Sequence, residues 1–268
     1  MQHLPDKIIG DLDSILPPVR QHYEDLGVSV IKDPDQYSTD FTKCLMYLNS
    51  HAAEIITSPR HQKNKPSNKN HQSAALNTPS CHAKLEIVIL GGLGGRVDQA
   101  FSQIHHLYMM TQTQRQLRES QQPDGNDKLG FGAGGNLYLI SEESITFVLQ
   151  EGKNIIYTPA TNRPDTDTDA PADHDSTAQE NQPPLKRKRD QETGVEMEYF
   201  FEENIGIIPL SAPASITTQG FEWDVEDWHT EIGGQLSTSN HIRADKVEVS
   251  TSVPVLFTVE LAQRLKSA

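Results

Sequence analysis

Cysteine is scarce: the 268 residues hold two, Cys44 and Cys81. That is too few for a disulfide framework, and no CxxC spacing suggests zinc. Long apolar runs are missing as well. No stretch reaches 18 consecutive apolar residues, and no charged-then-apolar leader pattern is read, so no membrane partner is expected and a reducing, cytoplasmic address is the simplest reading. Aromatic residues make up 6% and hydrophobic residues 35% of the chain, low enough that part of the length is not core. Basic charge is short too, with 23 Lys and Arg against 37 Asp and Glu, a net charge of −14. This balance argues against a nucleic-acid binder. Residues 160–203, with twelve acidic and five basic side chains, supply half of the surplus.

Three segments read as insertions too poor in apolar residues to repay the entropy of ordering. They lie near 58–84 (basic), near 111–135 (rich in Gln and Gly) and near 159–194 (acidic). The last contains KRKR at 186–189, read as a solvated charge run rather than a nuclear-import signal.

Between the insertions, "DKIIG" and "GVSVIKD" are short strands. "STDFTKCLMYLNSHAAEII" has helical spacing, with Ser38 or Thr39 as cap. "KLEIVIL" predicts a strand buried on both faces. "RVDQAFSQIHHLYMM" predicts a helix with Val97, Phe101, Ile104 and Tyr108 on one face. Strand, loop and helix in alternation predict an α/β fold with an open, mostly parallel sheet, over residues 1–150. From about 136 onward short β-type runs dominate, which predicts an all-β sandwich domain over 151–268.

Charged residues gather at the predicted strand ends. "GDLDS" offers Asp11 and Asp13, two apart, so in an extended stretch both carboxylates face one point. "STDFTK" puts Asp40 and Lys43 one helical turn apart. "GGLGGRVDQ" brings Gly94, Gly95, Arg96 and Asp98 to the third strand end. Each feature has a bland alternative: a tight turn, a capped turn, a solvated surface pair. Together they suit a polyphosphate bound with Mg²⁺, which takes hard oxygen ligands shared between carboxylates and phosphates. The arginine and lysine would balance the remaining charge and the glycines would let the backbone approach. The run matches neither GxGxxG nor the Walker pattern. In the β half, Trp223 sits on an expected strand and "LSTSN" holds Ser237, Ser239 and Asn240. Taken alone, the first reads more readily as a core residue than as a ligand platform, and the second more readily as a turn.

"GDLDS", "DQYSTDFTKCL", "GGLGGRVDQ", "GIIPL…ITTQGFEW" and "LSTSN", in this order and spacing, resemble thiamine pyrophosphokinase of the eukaryotic type. The resemblance implies an α/β catalytic domain, a β-sandwich thiamine-binding domain and a homodimer with composite active sites. It implies transfer of the β,γ-pyrophosphoryl group of ATP to the hydroxyl of thiamine, releasing AMP. Carried over by motif, Asp11, Asp13 and Asp40 would hold Mg²⁺ and the triphosphate. Gln36, Thr39, Lys43, Gly94, Gly95 and Arg96 would line the nucleotide, and Asp98 would sit at the junction with thiamine. Trp223 would stack on thiamine in the partner subunit's site, with Ser237, Ser239 and Asn240 near its rings.

The sequence departs from the pattern at Tyr37, where the family carries an acidic or small residue, and it starts downstream of the family's Ala-Asp-Gly-Gly strand and helix. The second departure predicts an uncovered apolar edge and a poorly soluble, nearly inactive chain. It also raises the rival reading of a non-catalytic thiamine-binding or dimerising protein.

Overall fold

The structure is a computed structural model that describes residues 4–58, 84–91, 93–120, 133–158, 161–163 and 199–266. Cys81, Gly92, KRKR and most of the first and third insertions lie outside the described residues. The chain forms two compact units, Met1–Ile89 with Gly94–Tyr138, and Leu90–Leu93 with Leu139–Ala268.

In the first unit, β1 (Lys7–Gly10) and β2 (Ser29–Lys32) pair in parallel, Lys7 opposite Ser29 and Gly10 opposite Lys32. The crossover between them is α1 (Pro17–Asp25), which starts on two prolines whose missing N–H groups cost nothing in a first turn. Next comes α2 (Asp40–Ser50). Thr39 caps it by accepting a hydrogen bond from the Thr42 N–H at 3.2 Å, and α3 (Ala52–Thr57) continues after a break at His51. Helix α2 packs on β1 and buries Leu45.

The strand β3 (Ile87–Leu90) departs from expectation. Its hydrogen bonds go to β4 (Leu137–Ile140) and not to β1: Ile87 N donates to Asn136 O at 2.9 Å, and Gly91 N to Ile140 O at 2.8 Å. Both partners advance by four residues in the same direction, so β3 and β4 run parallel. Burial on both faces is not found: Ile87 is buried, but Val88 and Leu90 are 54% and 79% exposed.

The long helix α4 (Val97–Ser120) corrects two expectations. It runs through 111–120, taken from composition as an insertion, because "TQTQRQLRES" is made largely of good helix formers. Arg115 and Glu119 pair across one turn at 2.8 Å, and buried Gln114 donates to Asn49 Oδ1 at 2.9 Å. Its buried stripe is His106, Leu107, Met110, Thr111 and Gln114, whereas Val97 and Phe101 are exposed. Three of those five are polar, so apolar spacing pointed to the wrong face.

The second unit is a β-sandwich. One sheet has the antiparallel order β10 (Trp228–Thr230), β9 (Ala214–Gln219), β12 (Lys246–Thr251), β6 (Gly152–Tyr157). The other runs β11 (Ser237–His241), β8 (Phe201–Pro209), β13 (Val255–Leu261), β5 (Ser144–Leu149), and β5 pairs with the end of β4. A two-residue strand β7 (Thr161–Asn162) lies parallel to β8, and Arg163 pairs with Asp245 at 2.6 Å. Residues 161–163, which composition placed inside the third insertion, are therefore tied to the sandwich.

Alternation along the strands sends one side chain in two to the core. Ile205 and Ile207, with Val255, Phe257 and Val259, meet Ala214, Ile216, Val247 and Val249 from the facing sheet. Phe257, fully buried, sits opposite Phe147 and Ile207 and touches Phe147 and Phe221 at ring separations of 5.4 and 6.4 Å. Phe257→Ala should lower the unfolding free energy by about 3–5 kcal/mol, the usual loss for a large core ring. Urea denaturation of the full chain measures this, and a loss under about 1 kcal/mol would place the core elsewhere.

Candidate functional site

In the first unit the site begins where β1 ends. Leu12 has a φ of 63°, a left-handed conformation that costs a branched residue energy. It turns the chain between Asp11 and Asp13, so the extended geometry expected from their spacing does not occur. Instead the Asp13 N–H donates to Asp11 Oδ1 at 3.1 Å, and the exposed Asp13 side chain is not gathered with the other carboxylates.

Asp11 and Asp40 are brought together. The Asp11 N–H donates to Asp40 Oδ1 at 3.2 Å. Between them lies the Lys43 ammonium, 3.8 Å from Asp11 Oδ2 and 3.7 Å from Asp40 Oδ1. The Lys43 side chain is 1% exposed, and its Nζ has no hydrogen-bond partner among the described residues. A buried ammonium is costly unless paired and hydrogen-bonded; here it is paired at a distance and its donors are unused.

Those unused donors, beside two carboxylates that each keep an oxygen free of hydrogen bonds among the described residues, fit an anion with a hard cation. Mg²⁺ fits on the same ground, since it needs only one or two carboxylates when phosphates complete its shell. Among the described residues no group of three or more His, Cys, Asp or Glu side chains is close enough to cage a metal alone.

The approach to α2 is shaped by two local turns, in which Asp33 Oδ1 accepts from Asp35 N and Asp35 Oδ1 from Tyr37 N. Hydrogen bonds from Ser38 and Tyr37 hold the Asp35 carboxyl below its ordinary range. Gln36 and Thr39 are exposed on this loop and Tyr37 is wholly so. One residue missed from sequence is Gly10. A Cβ there would lie 2.8 Å from Asp40 Oδ1 and 3.0 Å from its Cγ, so any side chain would make that carboxylate swing out of its present position. Its signal was the glycine preceding the Asp-x-Asp turn.

At the start of α4, Gly91 and Gly95 have φ of 82° and 67°, conformations that favour glycine. Gly94 has open space where a side chain would lie. Arg96 and Asp98 form a two-bonded pair at 3.1 and 2.6 Å, and the arginine holds the Asp98 carboxyl below its usual range. Both are exposed, at 75% and 60%, so solvent screens the pair and an incoming phosphate competes for the guanidinium on good terms.

In the second unit Trp223 lies in the loop after β9, not on a strand, and is 55% exposed, so it is not core. "STSN" is strand β11, not a turn. It carries a bulge between Thr238 and Asn240 that leaves Ser239 at a φ of 59°. Asn240, buried, spends its amide on the Trp223 backbone, accepting from its N–H at 3.2 Å and donating to its C=O at 2.9 Å. Ser237 is half-buried and Ser239 exposed on the same strand. Sequence reasoning missed the charged group beside them, Glu203, Glu222, His241 and Arg243. Its signal was the His and Arg directly after "STSN".

Two family models match this chain: the catalytic domain of thiamin pyrophosphokinase over residues 1–118 and its vitamin B1 binding domain over 188–256. Thiamine pyrophosphokinase 1 of Oryza sativa is 23% identical over 264 residues, 97% of this chain and 68% of its own. The Saccharomyces cerevisiae thiamine pyrophosphokinase is 25% identical over 277 residues, 97% of this chain and 70% of its own. Among solved structures, thiamin pyrophosphokinase from Candida albicans shares the fold at a TM-score of 0.60 and 22% identity, over 97% of this chain and 74% of that one. The yeast enzyme does so at 0.58 and 23%, over 97% and 70%. With the two models together taking in more than half of its length, one on each unit, the chain belongs to the thiamine pyrophosphokinase family.

Proposed function

We propose that this chain transfers the β,γ-pyrophosphoryl group of ATP to the hydroxyl of thiamine, giving thiamine diphosphate and AMP. One observation carries the reading: the buried Lys43 ammonium, its donors unused, between Asp11 and Asp40. It suits a triphosphate, and no nucleophilic side chain is needed, because in-line transfer at phosphorus asks mainly for positioning and charge stabilisation.

Lys43 and Arg96 would bind phosphate oxygens, while Gln36, Thr39, Gly94 and Gly95 line the nucleotide. The thiamine hydroxyl oxygen gives up its proton to solvent and bonds to the β-phosphorus as the bond from that phosphorus to the α,β-bridging oxygen breaks and the oxygen leaves with AMP. Asp11 and Asp40 would hold Mg²⁺, with Asp13 nearby in sequence; the ion supplies charge neutralisation on the phosphates. Asp98, ionised at neutral pH beside Arg96, would face the cationic acceptor. Trp223 offers an exposed indole face to the thiamine rings. A homodimer with composite sites and a cytoplasmic address complete the proposal. Among the described residues no helix is long and apolar enough to cross a membrane.

Incubating the full chain with thiamine, ATP and Mg²⁺ should yield AMP and thiamine diphosphate in equal amounts. ADP in place of AMP would make it a simple kinase, and no product with retained thiamine binding would favour the non-catalytic alternative.

Gly10→Ala should cut kcat by about a hundredfold, the cost of misplacing a reacting group by an ångström, because the new methyl displaces the Asp40 carboxylate. Unchanged turnover at an unchanged melting temperature would remove Asp40 from the site.

Asp40→Asn and Asp98→Asn should each lose about a hundredfold in rate, but in different ways. The first should raise the Mg²⁺ requirement. The second should weaken thiamine use with little change in the metal titration. Superimposable Mg²⁺ titrations would count against these roles.

A further inference from the structure

The backbone that carries Trp223 is held on both sides. Asp224 accepts from the N–H groups of Gly220 and Phe221 at 2.9 and 3.2 Å, and from Thr218 Oγ1 at 3.1 Å. Asn240 holds the Trp223 N–H and C=O. None of these bonds reaches the indole. A half-exposed aromatic side chain with only its backbone fixed can still choose among rotamers.

What meets the ring is His241. Its imidazole centroid lies 5.0 Å from that of the indole, with the planes tilted by 46°. It is the one ring contact of Trp223 among the described residues. His241 directly follows Asn240, so the bulged end of β11 delivers both the backbone clamp and the ring.

The imidazole is itself held. Its Nδ1 lies 2.7 Å from Glu222 Oε2, 3.1 Å from Arg243 Nη2 and 3.9 Å from Glu203 Oε1. Arg243 in turn pairs with both Glu203 and Glu222. The side chains of His241 and Arg243 are 24% and 21% exposed, so this group is more shielded than the tryptophan it supports.

We infer that His241 is a positioning residue, which the Glu222–Arg243–Glu203 group holds against one side of the Trp223 indole so that its other face is presented ready-ordered to the cationic ring system of thiamine. This rests on Trp223 being the thiamine platform proposed above. A ring ordered before binding spares the loss of side-chain freedom on association. The effect therefore falls on thiamine affinity and not on transfer.

Steady-state kinetics of the full chain test it. His241→Ala should raise KM for thiamine about three- to tenfold, the range expected for one side chain ordered on binding. The kcat and the KM for ATP should stay unchanged. His241→Asn keeps a polar group in reach of Glu222 but removes the ring, and should behave like alanine. His241→Phe keeps a ring and should recover most of the loss. Adding His241→Ala to Trp223→Ala should cost nothing further, since the histidine acts through the indole.

Recovery by asparagine and not by phenylalanine would overturn the inference, as would an additive double variant. A raised thiamine KM in Trp223→Ala with none in His241→Ala would overturn it while leaving the platform intact. If Trp223→Ala leaves the thiamine KM unchanged, the platform reading itself falls. Should His241→Ala not fold, the asparagine and phenylalanine variants read the same quantity.

Discussion

The first unit is organised around a buried positive charge. Lys43 sits on the inner side of α2, and its ammonium is removed from water with no hydrogen-bond acceptor within reach among the described residues. Such a charge is tolerated because two carboxylates lie within 4 Å of it, and each of these needs its own support. Asp40 leans on the Asp11 backbone amide, in a position that a side chain at Gly10 would displace. Asp11 is fixed by a turn that forces Leu12 into a left-handed conformation. Thr39 fixes the helix start from which Asp40 and Lys43 project. The strain at Leu12 and the unused donors at Lys43 are costs a purely structural lysine would not need. They make sense if the native cluster is completed by a ligand.

The second unit solves the opposite problem, how to keep an indole in water without letting it fold back into the core. The hydrophobic interior is filled by Phe257, Phe221 and the aliphatic alternation of five strands. Phe221, two residues before Trp223, takes the inward position. Asp224, one residue after it, closes the turn. Trp223 between them is half-exposed, with its backbone held by Asn240 and its indole met by the His241 ring. The bulge at Ser239 matters for the same reason: it shifts the register of β11, so that Asn240 pairs opposite Ile205 and turns its amide toward the Trp223 loop.

Much of this was legible in the sequence, and what was not has identifiable physical causes. The strands at 7–10 and 29–32, the Thr39 cap and the sandwich follow from local signals: short β-branched runs, a threonine before an aspartate, alternation bounded by turns. Asp11, Asp40 and Lys43 were legible as a group because strand ends and helix starts concentrate charge by construction. Misreadings arose where tertiary context overrode pattern. Val97 and Phe101 look like a core face, but the helix buries His106, Thr111 and Gln114: Gln114 donates to Asn49 on α2, Thr111 to Leu107 O, and the His106 ring lies against Phe41. Residues 111–120 look like low-complexity loop, yet a helix that is already nucleated extends through them. Gly10 and His241 escaped notice because their roles are visible only once a residue 30 positions on, or a loop 18 positions back, is folded against them.

The two sites have complementary electrostatic character, and this limits what chemistry they can share. One holds cationic donors that would suit the polyanion proposed above, with carboxylates that would take a metal. The other presents a π face, whose quadrupole favours cations, beside two glutamates that pair with Arg243: hydrogen bonding to His241, with Arg243 beside it, holds the Glu222 carboxyl below its ordinary range. Without that pairing Glu222 would pull a cationic ring toward itself as a point charge and away from the indole face. With it, the thiamine ring proposed to sit on the indole would be selected by shape and polarisability. A transferase whose acceptor keeps the same cationic ring through the reaction gains no turnover from a strong pull on that ring, because binding that ground and transition states share lowers KM without raising kcat.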